Sequence, residues 1–132
     1  MASSAENKKA ILRCIELFNR CTLEWVDICY SKGLKWIELP KTGTPEGRQG
    51  GFDFFRQAAE RQLGVFPDRS LRVLQSVAED DRVVLEQEWQ GTTAIPLGDI
   101  AAGTLLRQRV ASFFILEDGL IVQHIDYAPS SR

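Results

Sequence analysis

The sequence is poor in groups that bind metals or carry redox chemistry: one histidine, three cysteines and one methionine in 132 residues. No C-x-x-C pair occurs, and no histidine lies near a cysteine, so zinc-ligand spacing is missing. The odd cysteine count, at Cys14, Cys21 and Cys29, argues against a disulfide framework and predicts reduced thiols packed as small apolar groups. Charge of one sign is also lacking, with 16 Lys+Arg against 18 Asp+Glu and a formal net charge of -2. That balance argues against a basic footprint for nucleic acid and favours a small or neutral partner. No apolar run approaches the roughly 18 residues that span a bilayer. The opening MASSAENKKAILR lacks the charged, apolar, small-residue order of a secretory signal, so a cytoplasmic location is expected. Neither a metal nor a cofactor is expected.

What is present fits a single domain over 1–132, with an ordinary 44% of hydrophobic residues. Ser3-Ser4-Ala5-Glu6 has the form of a capping box and predicts a helix start. Apolar or small residues then recur at Ile11, Ile15, Phe18, Thr22, Trp25 and Cys29, the helical spacing of one buried face. A break near Asn19 to Cys21 divides this stretch into two helices, and Gly33 is expected to end the second. A short strand over 34–38 stops at Pro40, and KTGTPEGRQGG reads as a loop, since its glycines lack the Lys-Ser/Thr that cradles phosphate. A third helix is predicted over 52–63, ended by Gly64. Strands follow over 71–77, 83–90, 105–116 and 120–127. Three helices followed by an antiparallel meander predict an α+β fold, with helices on one face of a curved, mostly antiparallel sheet.

A turn centred on Leu97-Gly98 would set Glu86 opposite Arg109 and Glu88 opposite Arg107, pairing opposite charges on one sheet face. The other face then carries Val83, Leu85, Gln87 and Trp89 opposite Ser112, Val110, Gln108 and Leu106. This is either the wall of a ligand cavity or a packed core in which Gln87 and Gln108 bond to each other. On the last strand, IVQHIDYAP, alternation sends Val122, His124 and Asp126 to the inner face and Ile121, Ile125 and Tyr127 to the outer one. With Phe113 and Ile115, those outer residues form an apolar patch suited to a homodimer. Residues two apart on a strand have Cα atoms about 6.6 Å apart. His124 and Asp126 are therefore expected to flank a site rather than bond to each other.

The order of elements, with WIELP, FPD, DDRVVLEQEWQGT and FFILEDGLIVQHIDY, resembles the nuclear transport factor two-like (cystatin-like) superfamily of α+β cone folds. Within it, the chain is most similar to the SnoaL-like polyketide cyclases and the ketosteroid isomerases. The resemblance implies three N-terminal helices closing a curved sheet into a cone whose hydrophobic pocket holds a small hydrophobic molecule, and a homodimer. It also implies that Glu38 occupies the position of the proton-shuttling carboxylate of the isomerases and that the last strand carries an acid/base aspartate. The chain has Ser112 and Cys14 where those isomerases carry their oxyanion hole, and Glu86-Gln87-Glu88 where epoxide hydrolases of the superfamily carry Arg-x-Asp.

The expected function is therefore general acid/base catalysis without a cofactor, of cyclase, isomerase or dehydratase type, on a carbonyl-containing polyketide- or terpenoid-like compound. Glu38, His124 and Asp126 are the catalytic candidates. Desolvation beside Trp36 is expected to strengthen Glu38 as a base, and His124 to stabilise an enolate oxygen. Tyr30, Trp36, Leu85, Gln87, Trp89, Gln108, Val110 and Ser112 are expected to line the substrate pocket. The alternatives are a non-catalytic ligand-binding protein of the same fold and, less favoured, an epoxide-hydrolase-like enzyme.

Overall fold

In the computed structural model, which describes residues 2–41 and 44–129, the chain opens with α1 (Ser4–Phe18) and α2 (Glu24–Cys29). The capping box forms as expected: the Ser3 hydroxyl accepts from Glu6 N at 3.1 Å, and Glu6 Oε1 accepts from Ser3 N at 2.8 Å. The buried face of α1 is Asn7, Ile11, Cys14, Leu17 and Phe18, so Cys14 and Leu17 sit deeper than Ile15. The helix ends where Cys21 takes a positive φ of 59°. Its last carbonyl is capped by Arg69, which is wholly buried and donates to Phe18 O at 2.9 Å and to Thr22 O in the following turn at 3.3 Å. A cation at a helix C-terminus meets the negative end of the peptide dipoles, which helps to offset the burial of this charge.

After α2 come β1 (Tyr30–Glu38), β2 (Arg48–Gly50), α3 (Phe52–Val65), β3 (Ser70–Glu79), β4 (Arg82–Thr92), β5 (Leu105–Glu117) and β6 (Leu120–Tyr127). These strands form one sheet in the order β2-β1-β6-β5-β4-β3. All neighbours are antiparallel except β1 and β6, which run parallel. The α+β class and the helices packed on a mostly antiparallel sheet agree with the sequence.

Several boundaries differ. Gly33 lies within β1, which begins directly at Tyr30, and Gly64 lies inside α3 rather than ending it. Part of the expected loop, Arg48–Gly50, pairs with Trp36–Glu38 as an edge strand. The expectation of reduced cysteines fails at Cys14 and Cys29, which form a disulfide with Cα atoms 6.1 Å apart, leaving Cys21 free. Both lie on the buried faces of helices that pack against each other, a proximity that chain spacing alone did not reveal.

The β4–β5 hairpin is shifted by two residues from the expected register: Glu86 faces Ala111, Glu88 faces Arg109 and Leu85 faces Ser112. The cause is the turn, in which Leu97 pairs with Ile100 and Gly98 has a φ of +58°, moving the turn centre one residue along the chain. An even shift preserves the two faces. Glu86 still reaches Arg109 diagonally at 2.9 Å, while Glu88 pairs with Arg72 at 3.1 Å instead of Arg107.

A second departure lies on β6. Leu116 pairs with Ile121 and Ile115 with Gln123, leaving Val122 as an extra residue without a partner in that ladder. This bulge resets the alternation. Ile121, expected on the outer face, is 1% exposed and belongs to the core with Ile11, Val26, Val83, Leu85 and Leu116. Burial of each such large side chain contributes roughly 1.5–3 kcal/mol. Phe113 and Tyr127 remain outside, 43% and 45% exposed, with their rings 5.1 Å apart.

Candidate active site

The parallel pairing of β1 with β6 sets Trp36 beside His124 and Glu38 beside Asp126. On the other flank of β6, Phe114 faces His124 and Ser112 faces Asp126. Side chains paired across strands share a face, so Trp36, Glu38, His124, Asp126, Phe114 and Ser112 converge on the inner face of the sheet.

His124 and Asp126 do not merely flank this surface. His124 Nε2 lies 2.7 Å from Asp126 Oδ1, and the same oxygen accepts from Ser112 Oγ at 2.6 Å. Strand twist and side-chain rotation close the gap that the Cα rise alone implies. Ser112 Oγ in turn accepts from Gln87 Nε2 at 2.8 Å. On the far side of the imidazole, Nδ1 lies 2.9 Å from the Tyr30 hydroxyl. With neutral His124, one arrangement uses every donor: Tyr30 donates to Nδ1, and Nε2–H and Ser112 O–H both donate to Asp126. Both ring nitrogens are thus occupied, and neither is available to an enolate oxygen as the sequence suggested.

Burial pushes against ionisation of Asp126. The His124 charge, the hydrogen bonds from His124 and Ser112 and the charge of Lys41 outweigh it, holding the carboxyl below its ordinary pKa. Asp126 Oδ2 has no hydrogen-bond partner among the described residues, and the side chain is 19% exposed. Burial, followed by the Asp126 charge, raises the Tyr30 phenol well above its ordinary pKa.

Glu38 occupies different surroundings from those expected. Its Oε1 accepts from Arg48 Nε at 2.9 Å, and its Oε2 lies 3.3 Å from Lys41 Nζ. Both carboxylate oxygens of Glu38 are thus engaged by cations, where an unpartnered carboxylate beside Trp36 was expected. Neither cation was singled out from the sequence, because Arg48 lay in the supposed loop. Glu86 and Glu88 lie on the opposite face, paired with Arg109 and Arg72, so the epoxide-hydrolase-like arrangement has no carboxylate from β4 at this cluster.

Of the expected pocket wall, Tyr30, Trp36, Leu85, Gln87 and Ser112 are buried, whereas Trp89, Gln108 and Val110 are partly exposed. Gln87 and Gln108 do not bond to each other; Gln108 donates to Pro129 O at 3.3 Å. The indole N–H groups of Trp36 and Trp89 and the Gln87 carbonyl oxygen are buried without partners among the described residues. Aromatic rings crowd the cluster, with Phe55 4.6 Å from Tyr30 and Phe114 4.5 Å from His124 between ring centres. Two surface concavities, of about 340 and 430 Å³, lie elsewhere, beside Lys32 and Phe52 and beside Ser3 and Asp80. Among the described residues no three His, Cys, Asp or Glu side chains group to hold a metal ion, and no helix is long and apolar enough to cross a membrane.

Solved structures with this architecture include AclR from Streptomyces galilaeus, provisionally a hydroxylase, at 23% identity and a TM-score of 0.82 over 96% of this chain and 81% of that one. IdmH from Streptomyces antibioticus, provisionally a polyketide cyclase, is 20% identical with a TM-score of 0.79, over 92% of this chain and 91% of that one. AusH from Aspergillus nidulans is 15% identical with a TM-score of 0.81, over 100% of this chain and 89% of that one. At such identities the likeness speaks for the fold. No curated protein sequence matches the chain. The SnoaL-like domain matches residues 11–124, most of the chain, and it is to this family, within the nuclear transport factor two-like superfamily, that the protein belongs.

Proposed function

We propose that the protein is a cofactor-independent acid/base catalyst acting on a carbonyl compound of polyketide-like chemistry, with Asp126 as the base. One observation carries this reading: Asp126 has one oxygen fixed by His124 and Ser112 while the other is unpartnered among the described residues and partly exposed. Fixing one oxygen orients the other without an entropic cost at the moment of reaction. His124 and Ser112 hold the carboxylate by donating to Oδ1, and Tyr30 holds the imidazole in one tautomer. Glu38 serves instead to anchor Lys41 and Arg48 beside the carboxylates.

The lowered pKa of Asp126 limits the substrate. A weak base abstracts a proton only from carbon that is itself acidic, which favours a position between two carbonyl groups. Such a carbon loses its proton to Asp126 Oδ2, and the resulting enolate carbon bonds to a second carbonyl carbon of the same molecule. The alkoxide then recovers the proton, giving ring closure with no net gain or loss of atoms. Trp36, adjacent to His124 in register, carries a buried indole N–H without a partner among the described residues and is a donor candidate for the enolate oxygen.

The buried polar atoms of Trp36, Gln87 and Trp89 that lack partners among the described residues favour a second reading, a ligand-binding protein without turnover. A panel of aryl β-keto esters with a second carbonyl within ring-closing reach, followed by mass-resolved chromatography, separates the two. Cyclisation by the wild type that is lost in Asp126→Asn supports catalysis; equal cyclisation by both proteins refutes the assignment of Asp126, and binding without conversion favours the second reading.

The protein is further proposed to act as a homodimer through the outer sheet face. Val77, Val84, Phe113, Ile125 and Ile37 are paired strand to strand, forming an apolar row across β3, β4, β5, β6 and β1. Exposed apolar surface of this kind is characteristic of association sites.

A further inference from the structure

We propose that the Cys14–Cys29 disulfide is a redox-sensitive latch that holds the Tyr30 hydroxyl on His124. Cys29 is the residue immediately before Tyr30, and Tyr30 is the first residue of β1. Helix α2 is tied to α3 by the exposed Asp27–Arg56 pair, at 3.0 and 3.2 Å, but the backbone around this junction has few hydrogen-bond anchors of its own. Helix α2 has only six residues and no side-chain cap at Leu23, far below the length at which a helix persists unaided. On the other side, β1 pairs with β6 at Tyr30–Ile121, then shifts register before pairing resumes at Lys35–Gln123.

By contrast, α1 is firmly seated. It is capped at its start, its end is bound by Arg69, and the Asn19 side chain bonds both N and O of Leu71 on β3, at 2.8 and 2.9 Å. The disulfide therefore ties a loosely held junction to a rigid helix. Aromatic contacts from Trp25 and Phe55 also hold the Tyr30 ring, at centroid distances of 5.5 and 4.6 Å. Such packing tolerates small shifts, whereas a hydrogen bond weakens steeply when its geometry is lost.

Opening the latch takes two electrons and two protons from a dithiol reductant: the sulfur–sulfur bond breaks, Cys14 and Cys29 become thiols, and the reductant closes to its own disulfide. The end of α2 then moves, and Nδ1 of His124 loses its donor. In a reducing compartment the pair stands open, and under oxidising conditions it closes. The consequence for catalysis rests on the function proposed above; the mechanical link does not.

The sole histidine makes the test direct. Nitrogen-15 spectra of the neutral His124 ring report which nitrogen carries the proton. The oxidised protein is expected to show Nε2 protonated and Nδ1 as a hydrogen-bonded acceptor. Dithiothreitol treatment, or the double change Cys14→Ser/Cys29→Ser, is expected to shift the Nδ1 resonance and mix the tautomers. Tyr30→Phe, with the disulfide intact, should reproduce the Nδ1 shift. Thiol titration of the folded protein should rise from one group to three on reduction. An unchanged Nδ1 signal after reduction overturns the proposal, as do three titratable thiols in the air-oxidised protein. Global loss of the far-ultraviolet dichroism on reduction also overturns it, since the bridge is then a staple of the whole fold. No activity is read, so either outcome leaves the assignment of Asp126 standing.

Discussion

His124 Nε2 and Asp126 Oδ1 stand 2.7 Å apart, while the Tyr30 hydroxyl closes the other side of the same imidazole at 2.9 Å. This arrangement assigns the two residues unequal tasks: the carboxylate meets the substrate, and the imidazole supports it. Asp126→Asn is expected to lower turnover by about 10²–10⁴-fold, the usual worth of a positioned acid or base. His124→Gln should cost less, because Asp126 keeps its bond to Ser112. Initial rates on any substrate found in the keto-ester panel check the order of the two effects.

Glu38→Gln should affect rate less than Asp126→Asn, contrary to what the resemblance to ketosteroid isomerases implies. The change leaves Arg48 and Lys41 without their shared carboxylate partner. A drop in melting temperature with turnover largely kept is the expected pattern. A loss of turnover as large as that of Asp126→Asn, in a protein that still melts normally, would return Glu38 to the role of base.

Ser112 links Gln87 to Asp126 and is 1% exposed. Ser112→Ala strips both bonds at once and leaves Gln87 Nε2 without its partner. Urea unfolding is expected to show a loss of about 1–3 kcal/mol, the range for an orphaned buried polar group. Ser112→Thr, which keeps the hydroxyl, separates the hydrogen bond from the space it fills.

Stability should fall at both ends of the pH scale for separate reasons. Asp126 has a lowered pKa in the folded state. Its contribution is therefore fully present above the ordinary aspartate range and is lost as pH drops through the folded value. Tyr30 has a raised pKa. The unfolded phenol ionises first, so its contribution is complete below the ordinary tyrosine range and fades as pH climbs towards the folded value. Melting curves across pH should show a shallower acid arm in Asp126→Asn and a shallower alkaline arm in Tyr30→Phe.

Phe113→Lys should convert a dimer to a monomer, because it places a charge in the middle of the apolar row on the outer face. Sedimentation velocity of the two proteins at equal concentration checks this. A wild type that sediments as a monomer at every concentration removes the proposed interface.

Periodicity made much of this legible in advance. The helices and the long strands announced themselves through spacing, and the faces of β4 and β5 were assigned correctly despite the wrong register, because the error was an even number of residues. What stayed hidden depended on contacts distant in sequence. Arg48 could not be matched to Glu38 while its segment read as a loop. The meeting of Cys14 with Cys29 needed the packing angle of two helices. The bond between His124 and Asp126 turned on side-chain rotation, to which the rise along a strand is blind.

Val122 adds one residue that the β5–β6 ladder does not count. The two ends of the last strand are therefore read in different phases, an apolar end that seats Ile121 and a polar end that seats His124 and Asp126. A chain lacking either Val122 or Gln123 would keep one residue between Ile121 and His124 and join those phases without inverting either, whereas deleting Ile125 would set His124 directly beside Asp126 and turn one of them outward. Single-residue deletions inside the bulge and beyond it should thus have opposite fates, a tolerance that resides in the frame of the strand rather than in its composition.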